Sequence, residues 1–136
     1  MNEFYGVIIE DSLLDKKVLD RVQIISTRIE NVTEKHKTPW LKHWTLHDVE
    51  VTEQDADLTA QKISRVLDNK HPWLADFKNS RKHYIIFRNR VFKINRREKE
   101  QYDKAMAYGI SLGMPDFLVD FSASVKPKKM KKPKKK

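Results

Sequence analysis

The residues with the clearest chemistry are the lysines at the end of the chain. Residues 126–136 hold eight lysines, two prolines and one methionine, with no acidic side chain. Lysines bind nucleic acid by neutralising phosphates and releasing condensed counterions, and phosphate contacts select no base sequence. This run therefore predicts non-specific nucleic-acid binding by Lys126, Lys128, Lys129, Lys131, Lys132, Lys134, Lys135 and Lys136. The same composition also suits an anionic membrane surface, a nuclear import receptor or a solubilising extension.

A second cationic surface is predicted on residues 81–97, where arginines and lysines are interleaved with aromatic residues. Aromatic side chains can stack on bases while neighbouring cations hold phosphates. The contacts assigned to this surface are Arg88, Arg90, Lys93, Arg96 and Arg97. The structural alternative is that the aromatic residues pack beneath helices and the charges simply face water. The segment lacks the glycine-containing pattern of the commonest RNA-binding sheet motif.

Two further patterns indicate a small nuclease as the alternative to a binding module. Asp76-Phe-Lys78 would place an acid and a lysine on one face of a strand, as in metal-dependent nucleases. Such a magnesium site needs a further acid, for which the candidates are Asp48, Glu50, Glu10 and Asp11. A metal-free ribonuclease would instead use His83 and Tyr84 with Arg88 or Arg90 for acid–base chemistry and phosphate charge.

Metal binding by histidine is tested by spacing. His36, His43 and His47 are close in sequence, and on a helix the last two would lie one turn apart and could share zinc. On a strand they would be about 13 Å apart at about 3.3 Å per residue, which is too far. We interpret Trp44–Val51 as a strand because it is rich in Thr, Val and Trp, so we expect no metal and no cofactor. The absence of cysteine excludes disulfides and thiolate ligands.

The elements that position these residues centre on residues 82–95. Two runs of β-branched and aromatic residues flank Arg88-Asn89, and asparagine tolerates the positive φ of a tight hairpin turn. A lone hairpin is marginal in water, so Trp73–Phe77 is expected to add a third strand and complete a meander. Earlier strands are predicted at Phe4–Leu13, Val22–Val32 and Trp44–Val51. An uncovered edge of this sheet could pair two copies of the chain.

Two amphipathic helices are predicted on either side of the meander. Thr52 can cap a helix whose apolar stripe is Ala56, Ala60, Ile63 and Leu67. The second helix opens at Asn95-Arg-Arg-Glu98 and buries Tyr102, Ala105 and Met106. Gly109 is expected to end it, since glycine accepts the left-handed conformation. The predicted fold class is α+β: an antiparallel sheet of about five to six strands with both helices on one face.

Charge divides the chain into two parts. The whole chain has a net charge of +9, but without the eight terminal lysines residues 1–125 carry 28 − 8 = 20 basic and 19 acidic side chains, a net of +1. We therefore predict a single domain over residues 1–121 and a disordered lysine-rich tail over residues 122–136. The apolar run near the start is too short to span a membrane and lacks a cleavage signal, so a cytoplasmic location is expected.

Four segments carry a resemblance to a known family: Trp73–Asn79, His83–Asn89, Val91–Lys93 and Tyr108–Gly113. They resemble a small family of prokaryotic proteins that has no assigned activity. The resemblance covers residues 2–121 and leaves the lysine tail outside, which implies a domain with an appended tail. It implies no activity, cofactor or binding residue. The leading hypothesis is thus a non-enzymatic binding module with nucleic-acid affinity, and a protein-interaction domain with an incidental tail is a third alternative.

Overall fold

The computed structural model describes residues 2–34, 38–114 and 119–126. The strands are β1 (Phe4–Ile9), β2 (Gln23–Asn31), β3 (His43–Val51), β4 (Leu74–Lys78), β5 (Lys82–Phe87) and β6 (Arg90–Asn95), and the α-helices are α1 (Ala56–Val66) and α2 (Lys99–Ser111). Every strand pairing is antiparallel, and the strand order is β2-β3-β1-β4-β5-β6. The predicted α+β class, with its antiparallel sheet and meander in the second half of the chain, is confirmed.

The central hairpin forms where the sequence predicted it. β5 and β6 pair from Lys82 opposite Asn95 to Phe87 opposite Arg90. Asn89 takes the positive φ of 59° that a tight turn requires, and its backbone N–H donates to the Ser64 carbonyl at 3.1 Å. The turn is thereby fastened to α1 as well as to its own strands.

The two helices cover opposite faces of the sheet, so the prediction that both lie on one face is wrong. Alternate residues of β5 face opposite sides: Tyr84 and Ile86 belong to the apolar cluster that contains the α1 stripe. Ile85 and Phe87 belong to a second cluster, together with Tyr102 and Ala105 of α2. The reason is that His83–Phe87 are all buried, and a strand that is apolar on both faces needs cover on both.

The ends of the helices follow local chemistry, with one correction. Thr52 accepts a hydrogen bond from the Asp55 amide through a short 3-10 turn that leads into α1, as predicted. The second helix continues past Gly109 to Ser111, so the prediction that Gly109 ends it is wrong. A Cβ at Gly109 would lie 2.5 Å from Val119 Cγ1 and 3.3 Å from Phe87, so glycine is needed there for close packing. Gly113, with φ of +93°, follows the helix end instead.

Residues 119–126 pack onto the α2 side of the domain. Val119 is fully buried, Ser122–Ser124 form a 3-10 turn, and Ser124 is buried. Residues 122–126 therefore belong to the folded part, whereas the prediction assigned them to the tail. The lysines from Lys128 to Lys136 lie outside the described residues. Within residues 2–34, 38–114 and 119–126, no helix is both long and apolar enough to cross a membrane.

Candidate nucleic-acid interface

A pocket lined by cations lies at the open end of the β5–β6 hairpin, away from its turn. Its volume is about 250 Å³, and its lining residues are Ser80, Arg81, Lys82, Asn95, Arg96 and Arg97. We call these six residues the cationic corner. Four of them are basic and none is acidic. Arg81 and Arg97 are exposed to solvent, so this corner can accept an anionic ligand from outside.

Two asparagines hold the backbone of the cationic corner in place. Asn79 Oδ1 accepts hydrogen bonds from the Arg81 and Lys82 amides, each at 2.8 Å, which closes the turn between β4 and β5. Asn95 Oδ1 accepts from the Arg97 amide at 3.0 Å. Such local bonds are why asparagine is common in turns. The positions of the basic side chains are thus set by short-range chemistry.

Arg96 ties the end of the folded chain to the cationic corner. Its Nε donates to the Ser124 carbonyl at 3.0 Å, and its guanidinium also donates to the Asn79 carbonyl at 2.7 Å. In return, the Lys126 amide donates to the Arg96 carbonyl at 2.7 Å. Lys126 is the first of the eight terminal lysines. The chain therefore leaves the described fold beside the cationic corner.

A buried chain of hydrogen bonds supports this attachment from behind. The carboxylate of Asp76 can only accept, so His83 Nε2 donates to it at 2.7 Å. His83 Nδ1 lies 2.8 Å from the hydroxyl of Tyr102, which also reaches the Ser124 carbonyl at 3.4 Å. We call Asp76, His83 and Tyr102 the buried relay. His83 has no exposed surface, and its two hydrogen bonds connect β4 with α2.

Lys78 is a further residue that holds residues 122–126 against the sheet. It faces the same side of the sheet as His83, its register partner, and Lys78 Nζ donates to Ser124 Oγ at 2.9 Å. Burial, and then repulsion from Arg96, lower the pKa of Lys78, while burial raises the pKa of Tyr102. The Tyr102 hydroxyl therefore stays neutral and available for hydrogen bonding. Side chains from β4, from α2 and from Arg96, the residue after β6, thus converge on Ser124.

The remaining hairpin cations assigned to the interface lie elsewhere. Arg88 donates to the carbonyls of Leu67 at 2.6 Å and Arg65 at 3.2 Å, which caps the end of α1. Arg90 stacks over Phe92 and Tyr108, and Lys93 forms an ion pair of 3.2 Å with Asp57. The structure brings Arg96 and Arg97 together with Lys126, but it separates them from Arg90 by the length of β6, roughly 20 Å. Arg81 and Lys82 lie in the predicted segment 81–97 but were not among its assigned contacts. In the structure they line the pocket together with Arg96 and Arg97.

Tyr84, the aromatic residue of β5 that faces α1, has a structural role. Tyr84 packs against Phe4 and Phe77 and donates a hydrogen bond to Asp57, whose carboxylate also contacts Lys93. The hydrogen bond from Tyr84 and the nearby Lys93 hold the pKa of Asp57 below its usual value. Burial, helped by Asp57, raises the pKa of Tyr84.

We expect Tyr84→Phe to reduce stability by about 1 kcal/mol at neutral pH, because a hydrogen bond to a mostly exposed carboxylate is lost. A depressed Asp57 pKa contributes stability that is present above the unfolded pKa of about 3.9 and is lost as the pH falls below it. A raised Tyr84 pKa contributes stability that is lost as the pH rises above about 10. Urea unfolding from pH 3 to 7 should show a shallower acid decline in the variant. Tyr5→Phe, at an exposed tyrosine, is the control, and equal acid slopes for Tyr84→Phe and the parent would contradict the expectation.

Neither of the two predicted catalytic groups is brought together as a set, although Asp76 of one contacts His83 of the other. His83 and Tyr84 face opposite sides of β5, so one substrate cannot contact both. Asp48 and Asp76 both pair with Val7 of β1, which puts two strand spacings, about 10 Å, between them. Hydrogen bonds from Ser26 and Arg28 hold the pKa of Asp48 below its usual value. Among the described residues, no three histidine, aspartate or glutamate side chains are grouped to hold a metal.

The histidines on β3 behave as the strand prediction required. His43 and His47 lie at the start and middle of β3, and His43 is exposed. His47 is buried, with Nε2 2.7 Å from Glu10 Oε1 and Nδ1 2.8 Å from Thr27 Oγ1. His36 lies outside the described residues.

Comparison with known proteins gives no relative. A scan against family models finds no match, and searches of curated proteins and of solved structures find no similar protein.

Proposed function

We propose that this protein is a non-enzymatic module that binds nucleic acid through its terminal lysines and the cationic corner acting together. The observation that carries the proposal is the hydrogen bond from the Lys126 amide to the Arg96 carbonyl. It joins the start of the lysine run to a pocket with four cations. A phosphate backbone lying in that pocket would be within reach of both.

The physical basis is counterion release. For each phosphate that the protein neutralises on a single strand, the slope of log affinity against log salt concentration becomes more negative by about 0.7. Seven lysines follow Lys126, and the corner adds four basic side chains. Without the corner, residues 1–125 carry 20 − 4 = 16 basic and 19 acidic side chains, a net of −3, so the affinity depends on these groups. Phosphate contacts give no base readout, which predicts binding to RNA and DNA without sequence preference.

The test is a salt titration of binding to a labelled single-stranded oligonucleotide, followed by fluorescence anisotropy. If the full chain neutralises about seven phosphates, the slope of log affinity against log salt is about −5. A chain ending at Lys126 should retain a slope of about −2 from the corner. Adding Arg81→Ser and Arg97→Ser to the shortened chain should remove about two of these phosphate contacts and reduce the slope to about −0.7. Both side chains are exposed, so the fold should survive.

The matched control replaces two exposed lysines far from the corner, Lys17→Ser and Lys62→Ser, in the shortened chain. It removes the same charge and should leave the slope at about −2. An equal loss in the control and the corner variant would mean that only net charge matters, and no binding by the full chain would overturn the proposal. Incubating the same labelled RNA and DNA with magnesium or a chelator tests the nuclease alternative, which predicts cleavage.

A further inference from the structure

The strand β2 is an edge strand with both faces exposed. Among the described residues it pairs only with β3, and all nine of its residues are exposed to solvent. Three of them are isoleucines: Ile24 is 38% exposed, Ile25 is 55% exposed and Ile29 is 67% exposed. An edge of this length presents unpaired backbone N–H and C=O groups together with apolar side chains.

This edge has only part of the usual protection against pairing. Gln23–Asn31 contains the charged residues Arg28 and Glu30 but no lysine and no proline, the residues that commonly block sheet edges. One irregularity interrupts the pairing with β3, between Ile24 and Ser26, and residues 26–31 are regular. The opposite edge, β6, has six residues and lies between α1 and α2. Of the two edges of the described sheet, β2 is therefore the longer and the less covered.

The sequence of β2 is self-complementary about Ile29. In an antiparallel pair of two copies with the two-fold axis at Ile29, this residue faces Ile29 of the partner subunit. Arg28, which binds Asp48 of its own sheet through Nη1, then faces Glu30 of the partner subunit with its other guanidinium N–H groups, and Thr27 faces Asn31 of the partner subunit. Opposite charges and paired β-branched residues directly across an antiparallel ladder are stabilising. Residues facing each other in this register also lie on the same face of the sheet.

We propose that β2 pairs with β2 of a second copy of this chain, with the two-fold axis at Ile29, so that two six-stranded sheets join into one. The occupant of this edge is therefore a second copy of the chain, and the interface is isologous. The proposed interface lies at the edge of the sheet that is farthest from the β5–β6 hairpin, and it does not rest on nucleic-acid binding.

The first measurement is the mass of the full-length protein in solution, by sedimentation velocity across micromolar to sub-millimolar concentrations. The monomer is 16.2 kDa, so a dimer is 2 × 16.2 = 32.4 kDa. Ile29→Lys puts two like charges face to face and should weaken dimerisation at least tenfold. Leu58→Lys, which changes an exposed leucine of α1, should leave it unchanged. A monomer at every concentration would overturn the proposal.

The second measurement reports the register. The chain has no cysteine, so any disulfide in a single-cysteine variant must join two copies. Residues opposite each other have Cα atoms about 5 Å apart, within disulfide range. Ile29→Cys should therefore cross-link with an added oxidant. Ile25→Cys, on the same strand with similar exposure, should not, because two copies of residue 25 would be roughly 26 Å apart. Cross-linking through residue 25 but not 29, or through neither, would overturn the register.

Discussion

Replacing Gly6 with valine is expected to unfold the protein. Gly6 lies in β1 and pairs with Val49 of β3 on one side and Phe77 of β4 on the other. A Cβ built at this position would overlap the carbonyl oxygen of Asp76 and the Cα of Phe77. These are backbone atoms of a central strand, so no side-chain rotation relieves the overlap. The strands would have to separate, and we expect a loss of more than about 4 kcal/mol, which is close to the whole stability of a small domain.

The graded variant Gly6→Ala keeps the experiment informative if the valine variant does not fold. It carries the same Cβ without the added methyl groups, and urea unfolding should show a large drop in its midpoint. The control is Tyr5→Val at the neighbouring position, where the side chain is half exposed and valine suits a strand. It should change the free energy of unfolding by less than about 1 kcal/mol. A Gly6→Ala midpoint equal to that of the parent would show that β1 and β4 do not approach as described.

The strands of this fold could be predicted because their signals are local. Apolar runs and local enrichment in β-branched and aromatic residues located every strand, and the Arg88-Asn89 pair located the hairpin turn. The assignment of helices to faces failed because the continuous apolar run Tyr84–Phe87, which indicates a strand buried on both faces, was not used to place a helix on each face. Which helix covers which face depends on contacts across the whole sheet. The helix end at Gly109 failed for a similar reason, since that glycine is selected by contact with Val119.

The candidate site was predicted only in its local parts. Basic residues near 81–97 are visible in the sequence, but their grouping depends on which end of a hairpin they occupy. Arg88 and Arg96 look alike in the sequence, yet one caps α1 and the other binds Ser124. The attachment of residues 122–126 was missed because its partners, Lys78 and Tyr102, are more than 20 residues away. Contacts of this kind leave no periodic pattern to find.

Replacing His83 with leucine is expected to give the second largest loss of stability. The variant introduces an apolar side chain of similar size and removes the hydrogen-bond partner that Asp76 and Tyr102 share. The Asp76 carboxylate and the Tyr102 hydroxyl would each lose a hydrogen bond, at 2.7 and 2.8 Å respectively. An unsatisfied buried polar group costs about 1–3 kcal/mol, so we expect a loss of about 2–4 kcal/mol in urea unfolding. Tyr102→Phe, which removes one hydroxyl, should cost about half as much.

The control is His71→Leu, which also breaks a 2.7 Å contact between a histidine and a carboxylate, that of Asp68. The side chains of Asp68 and Asp76 are 18% and 24% exposed, so solvent reaches both carboxylates after the histidine is removed. The variants differ in the Tyr102 hydroxyl, which is fully buried and loses a partner only in His83→Leu. The relay also predicts a local effect, because Tyr102 reaches Ser124 and so helps to hold residues 122–126. Going from the parent to His83→Leu, the hydrogen-exchange rate of the Lys126 amide should increase by a larger factor than the rates of the β3 amides. Equal losses for the two histidine variants, or an unchanged Lys126 amide, would mean that burial of the relay does not anchor the end of the fold.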